Sequence, residues 1–201
     1  MKKNLRWLIA GILALALTSC GVFFAPLEGR WNPLDPNFGE GYIEKSLYPT
    51  LDGHVMNNTG TRDFTGLYMS VSDMYRSLMK FNTADIPADI PHAELHLYMN
   101  NGTIPAYDYR VRLILQDWDQ LLVDWIQISD SGILAPLASP PVSLLDPGFY
   151  SWDVTSLLQS VSPGSVKGLL VEPVISAGAM NRDFQTTEYM INKPHLVIWT
   201  R

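Results

Sequence analysis

The sequence of 201 residues contains a single cysteine, Cys20, so the chain can form no intramolecular disulfide bond. A domain of this length can fold around a core without covalent cross-links, so its stability has to come from packing. Basic residues are also scarce, with 14 Lys and Arg against 20 Asp and Glu. Because proteins that bind nucleic acid usually carry a basic surface, this balance argues against a nucleic-acid partner.

Long hydrophobic runs are lacking near the N-terminus. The apolar stretch Trp7–Leu17 is shorter than the roughly 20 residues that a membrane-spanning helix needs. It follows a basic start, Met1–Arg6, and this order is typical of a secretory signal peptide. The stretch ends in Leu-Thr-Ser-Cys-Gly at 17–21, which resembles the lipobox of bacterial lipoproteins.

The lipobox resemblance implies a signal peptide at 1–19 and acylation of Cys20. Several lipid chains on one residue give a stable membrane anchor. Gly21, rather than an aspartate, follows the cysteine, which favours the outer membrane or cell surface. Loss of the signal peptide removes three of the 14 basic residues, so 11 remain against 20 acidic ones and the net charge is about −9. We therefore expect an acidic, extracytoplasmic, membrane-anchored lipoprotein.

Residues 20–45 are rich in proline, glycine and asparagine and show no periodicity, so we interpret them as the lipidated cysteine and a linker. Residues 46–201 are predicted to form one domain. Within it, Tyr75–Phe81 and Ala93–Met99 alternate between apolar and polar side chains on either side of a proline-containing hinge. Such alternation predicts half-buried strands of an antiparallel sheet.

Turn-forming residues separate many short strands, a pattern typical of an all-β fold with a single antiparallel β-sandwich of jelly-roll type. A short helix is predicted over 154–161, and a long loop over 129–148, which contains four prolines. Strands are predicted at 47–56, 64–71, 75–82, 93–100, 107–116, 149–155, 167–173, 182–190 and 194–200.

The order of these segments resembles the DNRLRE domain, a jelly-roll β-sandwich of secreted and cell-surface proteins that is related to carbohydrate-binding modules. The resemblance covers about residues 46–201, with Asp124 and Thr186-Thr187-Glu188 departing from the family pattern. It implies a sandwich fold and a polysaccharide ligand. The matching segments are Leu51–Val55, Asp63–Gly66, Tyr75–Pro87, Ala93–Met99, Asp117–Trp125, Gly148–Thr155, Gly168–Val171 and Pro194–Ile198.

Catalytic motifs are absent from the sequence: it has no Gly-x-Ser-x-Gly, no His-Glu-x-x-His and no phosphate-binding glycine loop. The lone cysteine is expected to be lipidated, so we do not expect an enzyme. His92 and His96 are four residues apart, but on a strand this spacing puts them about 13 Å apart, so we expect no metal between them. Carboxylates at 117, 119 and 124 suit either glycoside hydrolysis or solvated turns around core tryptophans, and we favour the turns.

No cofactor is expected, although Asp52, Asp63 and Asp183 could supply oxygens to a structural calcium ion. For polysaccharide binding, aromatic rings on outward positions stack on sugars, and polar neighbours bind hydroxyl groups. Trp118, Trp125 and Trp152 are expected to be core residues rather than part of such a platform. Two function classes stay open beside a small hydrolase: a polysaccharide-binding surface module, and a structural or adhesive envelope lipoprotein that docks on a protein. The candidate binding residues are Tyr68, Tyr98 and His96, with Arg76, Arg110 and Arg112 as partners for an acidic glycan.

Overall fold

Two antiparallel sheets pack face to face in the computed structural model, which describes residues 42–57, 61–102, 105–129, 133–175 and 178–200. All of these residues belong to one compact unit, Gly41–Arg201. The predicted all-β antiparallel sandwich is confirmed. The predicted signal peptide and Cys20 lie outside the described residues, and so does the linker apart from 42–45.

Thirteen strands make up the two sheets in the described ranges. Sheet A has the order β1-β13-β6-β12-β4, with β10 on the other side of β6. Sheet B has the order β3-β2-β5-β11-β7-β8, with β9 also paired to β7. The strands are β1 Ile43–Leu47, β2 Leu51–Met56, β3 Arg62–Asp63, β4 Tyr68–Val71, β5 Tyr75–Lys80, β6 His92–Met99, β7 Tyr107–Ile114, β8 Leu134–Ala138, β9 Val142–Leu144, β10 Gly148–Asp153, β11 Gly168–Pro173, β12 Arg182–Gln185 and β13 His195–Thr200.

Four short helical turns accompany the strands in the part of the chain that the structure describes. They are α1 Trp125–Ser129, α2 Thr155–Gln159, and the 3₁₀ turns Thr83–Asp85 and Pro163–Ser165. The helix predicted over 154–161 is confirmed as α2, whose Thr155 N–H donates to Asp153 Oδ1 (2.9 Å). Within the described ranges, none of the helices is long and apolar enough to cross a membrane.

The main core lies between the sheets and contains the predicted alternating faces. Leu95, Leu97 and Met99 of β6 point inward and are fully buried, as are Val111 and Leu113 of β7. Burial of such side chains stabilises a fold by about 1.5–3 kcal/mol each. The period-two pattern therefore identified the inner face of both sheets.

Trp152 of β10 is fully buried in this core, and its indole N–H donates to the carbonyl oxygen of Tyr109 (3.0 Å). The ring of Phe184 meets it edge-on at 6.1 Å. A paired indole N–H removes the free-energy cost of burying a polar group. The expectation that Trp152 belongs to the core is therefore confirmed.

A second apolar cluster covers the outer face of sheet B. Residues 115–129, here called the covering segment, place Trp118, Val123 and Ile128 over the outward side chains of Leu78 and Leu170. The segment turns into α1 through a reciprocal cap, in which Gln127 N donates to Asp124 Oδ1 (2.8 Å) and Asp124 N to Gln127 Oε1 (3.3 Å). Both faces of sheet B thus carry buried apolar residues. The alternation of apolar and polar residues along its strands did not predict this second buried face.

Several predicted boundaries were wrong. The segment 129–148 was predicted as a loop but contains β8 and β9, which pair with opposite ends of β7. Both are edge strands, where proline is tolerated because one side of the strand needs no backbone donor. The first strand begins at Ile43, inside the predicted linker. It was missed because it lies at the edge of sheet A, where a strand can carry polar residues.

Candidate functional site

The six candidate binding residues lie on two opposite faces of the sandwich. Tyr68, Tyr98 and His96 belong to strands of sheet A and point away from the core. The three arginines belong to β5 and β7 of sheet B. The structure therefore brings each group together but does not combine the two groups in one site.

A row of outward side chains crosses four strands of sheet A. Phe149 of β10 pairs with Tyr98 of β6. The pairing of Phe184 with Met99 sets Gln185 of β12 beside Tyr98, and Gln185 pairs with Tyr68 of β4. We call these four residues, Phe149, Tyr98, Gln185 and Tyr68, the aromatic row. At about 4.8 Å between strands, the row is about 14 Å long.

Two of the three rings in this row are exposed, and that of Tyr98 is half-buried. Phe149 is 45% exposed and Tyr68 is 40% exposed. The Tyr98 and Phe149 rings meet edge-on with centroids 5.0 Å apart, and Tyr68 lies 5.7 Å from the ring of Tyr189. Sugar rings stack on such exposed aromatic surfaces, so the row has the chemistry of a carbohydrate platform.

A second row lies next to it on the same face. Ser151 pairs with His96, and His96 pairs with His195. The two imidazoles are stacked, with centroids 5.0 Å apart and planes 12° apart, and Tyr48 lies 5.9 Å from His195. Burial lowers the pKa of His195, although the contact with the Lys193 carbonyl oxygen opposes that change. We call Ser151, His96 and His195 the histidine row.

Glu94 lies between two histidines of its own strand. Its Oε1 is 3.1 Å from His92 Nε2. Its Oε2 is 3.0 Å from His96 Nε2, which is an ion-pair distance, but this second contact lacks the alignment of a hydrogen bond. Burial alone would raise the pKa of Glu94, but the two histidines outweigh this effect and lower it to about 2. The carboxylate is therefore ionised throughout the physiological pH range.

The expectation of no metal between His92 and His96 was argued from their separation along the strand. The structure adds a carboxylate between the two rings, within about 3.1 Å of one nitrogen of each. Among the residues that the structure describes, no group of three or more His, Cys, Asp and Glu side chains is arranged to hold a metal ion.

The three arginines gather around Glu172 of β11, and we call these four residues the arginine cluster. Arg110 Nε and Nη2 lie 2.8 and 2.7 Å from Glu172 Oε1. Arg76 Nε lies 3.7 Å from Oε2, and Arg112 Nη1 3.9 Å from Oε1.

Two of these guanidinium groups also have partners outside the cluster. Arg76 is buried with its guanidinium 4.3 Å from the Trp125 ring of the covering segment, and Arg112 donates to the carbonyl oxygen of Ala135 in β8 (2.6 Å). Burial lowers the pKa of Arg76, while the charge of Glu172 opposes that change. Each guanidinium of the cluster thus has protein partners, and Arg76 joins the covering segment to sheet B.

The acidic residues near the two outer tryptophans stabilise turns. Asp117 Oδ1 accepts from Lys80 Nζ (2.7 Å), which lowers the pKa of Asp117, and Asp119 Oδ1 accepts from Leu121 N (2.7 Å). Asp124 caps α1, as described above. These contacts agree with the turn interpretation of the three carboxylates.

A cleft of about 350 Å³ opens between the covering segment and sheet B. Trp118 lines it, but this residue is only 8% exposed and its indole N–H donates to the Lys167 carbonyl oxygen (3.1 Å). The ring is therefore part of the second apolar cluster and offers little surface for stacking. The expectation that Trp118 is a core residue is confirmed.

The three calcium candidates are occupied by protein donors. Asp52 accepts from the backbone N–H and hydroxyl of Thr187, and Asp63 accepts from the backbone N–H groups of Thr65 and Gly66. Asp183 accepts from the side chains of Ser70, Asn101 and Asn181. A calcium ion needs six to eight oxygens and would compete with these donors, so the structural calcium site stays a prediction.

Three site residues were missed by sequence reasoning. Phe149 and His195 fall in predicted strands, and Tyr48 follows β1. A signal was present for Phe149, because it alternates with Trp152, a predicted core residue, and so points outward. The positions of His195 and Tyr48 depend on the pairing of β13 with β6 and β1, which no local pattern shows.

Comparison with known proteins gives no family for this chain. No protein-family model matches the sequence, and no curated protein matches it significantly. The resemblance to the DNRLRE domain therefore stays a prediction.

Proposed function

We propose that this protein is a non-catalytic module that binds polysaccharide on the outer face of sheet A. The observation that carries the proposal is the aromatic row, in which Phe149, Tyr98 and Tyr68 point outward from neighbouring strands along one line. Among the described residues, the outer face of sheet A contributes none to either buried apolar cluster, whereas sheet B is covered. The resemblance to a family related to carbohydrate-binding modules supports the same proposal.

The aromatic row suits an extended ligand better than a single sugar. At about 14 Å it is comparable in length to a few linked sugar rings. Ring faces would stack on Tyr98 and Phe149, and hydroxyl groups would hydrogen-bond to polar neighbours such as Ser151. The strands hold these side chains at fixed spacings, which reduces the entropy lost on binding.

Binding is tested with the full chain, purified in an uncharged detergent, on an array of soluble polysaccharides. Tyr98→Ala and Phe149→Ala should each reduce affinity about two- to tenfold, the range for loss of one aromatic stacking contact. Arg110→Ala, on the opposite face, is the matched control and should bind normally. Binding that is absent from every polysaccharide, or that survives Tyr98→Ala at an unchanged melting temperature, would refute the proposal.

We further propose that a lipid on Cys20 anchors the module to the outer membrane or cell surface. The basis is the lipobox-like sequence before Gly21. Labelled fatty acid should be incorporated into the wild-type chain and not into Cys20→Ala. Persistent labelling of the variant would contradict the anchor.

A second candidate function, docking on a protein partner of the cell envelope, is favoured by a different surface. Leu121, Leu122 and Ile126 protrude from the covering segment and are 71%, 71% and 79% exposed. Apolar side chains grouped in this way mark protein contact sites. Cross-linking in intact cells distinguishes the two functions, since a docking protein should lose its cross-linked partner in Leu122→Ser and keep it in Tyr98→Ala.

A further inference from the structure

Charge is unevenly divided between the two outer faces of the sandwich. Counted along the paired strands, the described outward positions of sheet A include four carboxylates and no lysine or arginine. These positions are Glu44, Ser46, Tyr68, Ser70, His92, Glu94, His96, Tyr98, Phe149, Ser151, Asp153, Asp183, Gln185, His195, Val197 and Trp199.

The basic residues of the strands lie elsewhere. Five of them point outward on sheet B: Arg62, Arg76, Lys80, Arg110 and Arg112. Two others belong to sheet A but lie on the opposite side of their strands from its outward residues. Arg182 of β12 is fully buried, and Lys45 of β1 donates to the Asp85 carbonyl oxygen and lies 3.6 Å from the Asp85 carboxylate. The positive charge of the strands is therefore concentrated on the face that the covering segment occupies.

The carboxylates of sheet A surround the proposed binding rows. Glu94 pairs with Asp153 across β6 and β10, one step along the strands from the histidine row. Asp183 pairs with Ser70 at the end of the aromatic row. Because Glu94 stays ionised down to about pH 2, the negative charge beside the rings persists across the physiological range.

We infer that the polysaccharide bound by sheet A is uncharged rather than an acidic glycan such as a polyuronate. This inference rests on the proposed function and specifies the ligand class of the same site. Carboxylates on this face repel a polyanion, and the exposed ones, Glu44 and Asp153, can accept hydrogen bonds from the hydroxyl groups of a neutral sugar. The arginines expected to hold an acidic glycan are on the other face and are bonded to Glu172 and Ala135.

The test compares binding of the full chain to xylan and a neutral β-glucan with binding to alginate and polygalacturonate, at low and high salt. We expect binding to a neutral glycan that is lost in Tyr98→Ala, and weak or no binding to the polyuronates at low salt. Salt screens repulsion between charges, so any polyuronate binding should increase with salt.

Each alternative result has a separate meaning. Tight, salt-sensitive binding of alginate that is lost in Tyr98→Ala would overturn the inference that the ligand is uncharged. It would leave the proposed binding face unchanged. Alginate binding that is lost in Arg110→Ala, and not in Tyr98→Ala, would overturn both. Failure to bind any polysaccharide would refute the proposed function, and the inference with it.

A variant that adds a positive charge tests the inference without requiring that the natural ligand be known. Ser151→Lys places an ammonium group in the histidine row, next to Phe149, and should increase binding to alginate about two- to fivefold. Leu137→Lys, at an exposed position on β8 of sheet B, is the matched control and should have no effect. Equal gains in both variants would show that net charge, rather than the charge of this face, excludes polyuronates.

Discussion

Tyr98 and Phe149 lie opposite each other on β6 and β10, with ring centroids 5.0 Å apart and ring planes at 79°. The contact joins two strands whose inward-facing residues include Leu97 and Trp152, and both of these residues are buried in the core. The core therefore fixes the backbones from which both rings project. A pair held in this way presents a ring surface of constant geometry to a ligand.

The first prediction concerns the chemistry of this pair. Tyr98→Phe keeps the ring and should retain most of the affinity, whereas Tyr98→Leu removes the aromatic surface and should lose about two- to tenfold. Isothermal titration with the bound glycan measures both variants. Equal affinity of the phenylalanine and leucine variants would show that the ring does not stack on the ligand.

The second prediction concerns the pH dependence of stability. The pKa of Glu94 is about 2 in the folded chain and 4.5 ordinarily, so ionised Glu94 stabilises the fold above pH 4.5. This contribution is lost as the pH falls from 4.5 toward 2. Glu94→Gln should therefore lower the free energy of unfolding by about 1–3 kcal/mol at neutral pH, with the difference from wild type narrowing below pH 4.5.

Urea unfolding at a series of pH values measures this effect. Glu44→Gln, a change at an exposed carboxylate on the same face, is the control and should shift stability by less than about 0.5 kcal/mol. A difference between wild type and Glu94→Gln that stays constant from neutral pH to pH 2 would contradict the assigned pairing.

The third prediction tests whether the arginine cluster is structural. Glu172→Gln removes the negative charge shared by Arg76, Arg110 and Arg112 and leaves three guanidinium groups close together. We expect a loss of about 1–3 kcal/mol in the free energy of unfolding, which added salt should partly restore. Glu188→Gln, at an exposed position, is the control, and equal stability of the two variants would argue against a structural cluster.

The fourth prediction concerns the packing of the covering segment on sheet B. A Cβ atom on Gly168 would lie 2.6 Å from the Met79 carbonyl oxygen and 3.0 Å from Trp118 Nε1, so Gly168→Ala should cost about 1–3 kcal/mol of stability. A Cβ atom on Gly164 meets no atom within 4 Å. Gly164→Ala should therefore be close to neutral in urea unfolding, and comparable losses in both variants would contradict this packing.

The inner faces of the sheets could be predicted because alternation repeats along a single strand. Leu95, Leu97 and Met99 were predicted to face the core, and they do. The edge strands β8 and β9 were missed, because their prolines resemble those of a loop until pairing with β7 is known. Polar residues of β1 misled the prediction in the same way.

The candidate site was only partly predictable. Tyr98 and His96 were selected because they alternate with core residues, and both point outward, but His96 is buried by its neighbours on that face. The arginines were selected by the same rule, yet Arg76 is buried beneath Trp125. Alternation indicates on which side of a strand a residue lies, but not what packs on that side. The segment that covers sheet B could therefore not be deduced from the sequences of β5 or β7 alone.

The sequence by itself determined the all-β class, the inward faces of the strands and the acidic charge, because each depends on composition or on neighbours along the chain. Only the tertiary structure decided which residues share a surface. Pairing across strands joined Phe149 to Tyr98 and His96 to His195, and the covering segment separated the arginines from them. The physical reason is that strand order and register arise from contacts between residues far apart in sequence, which local patterns do not encode.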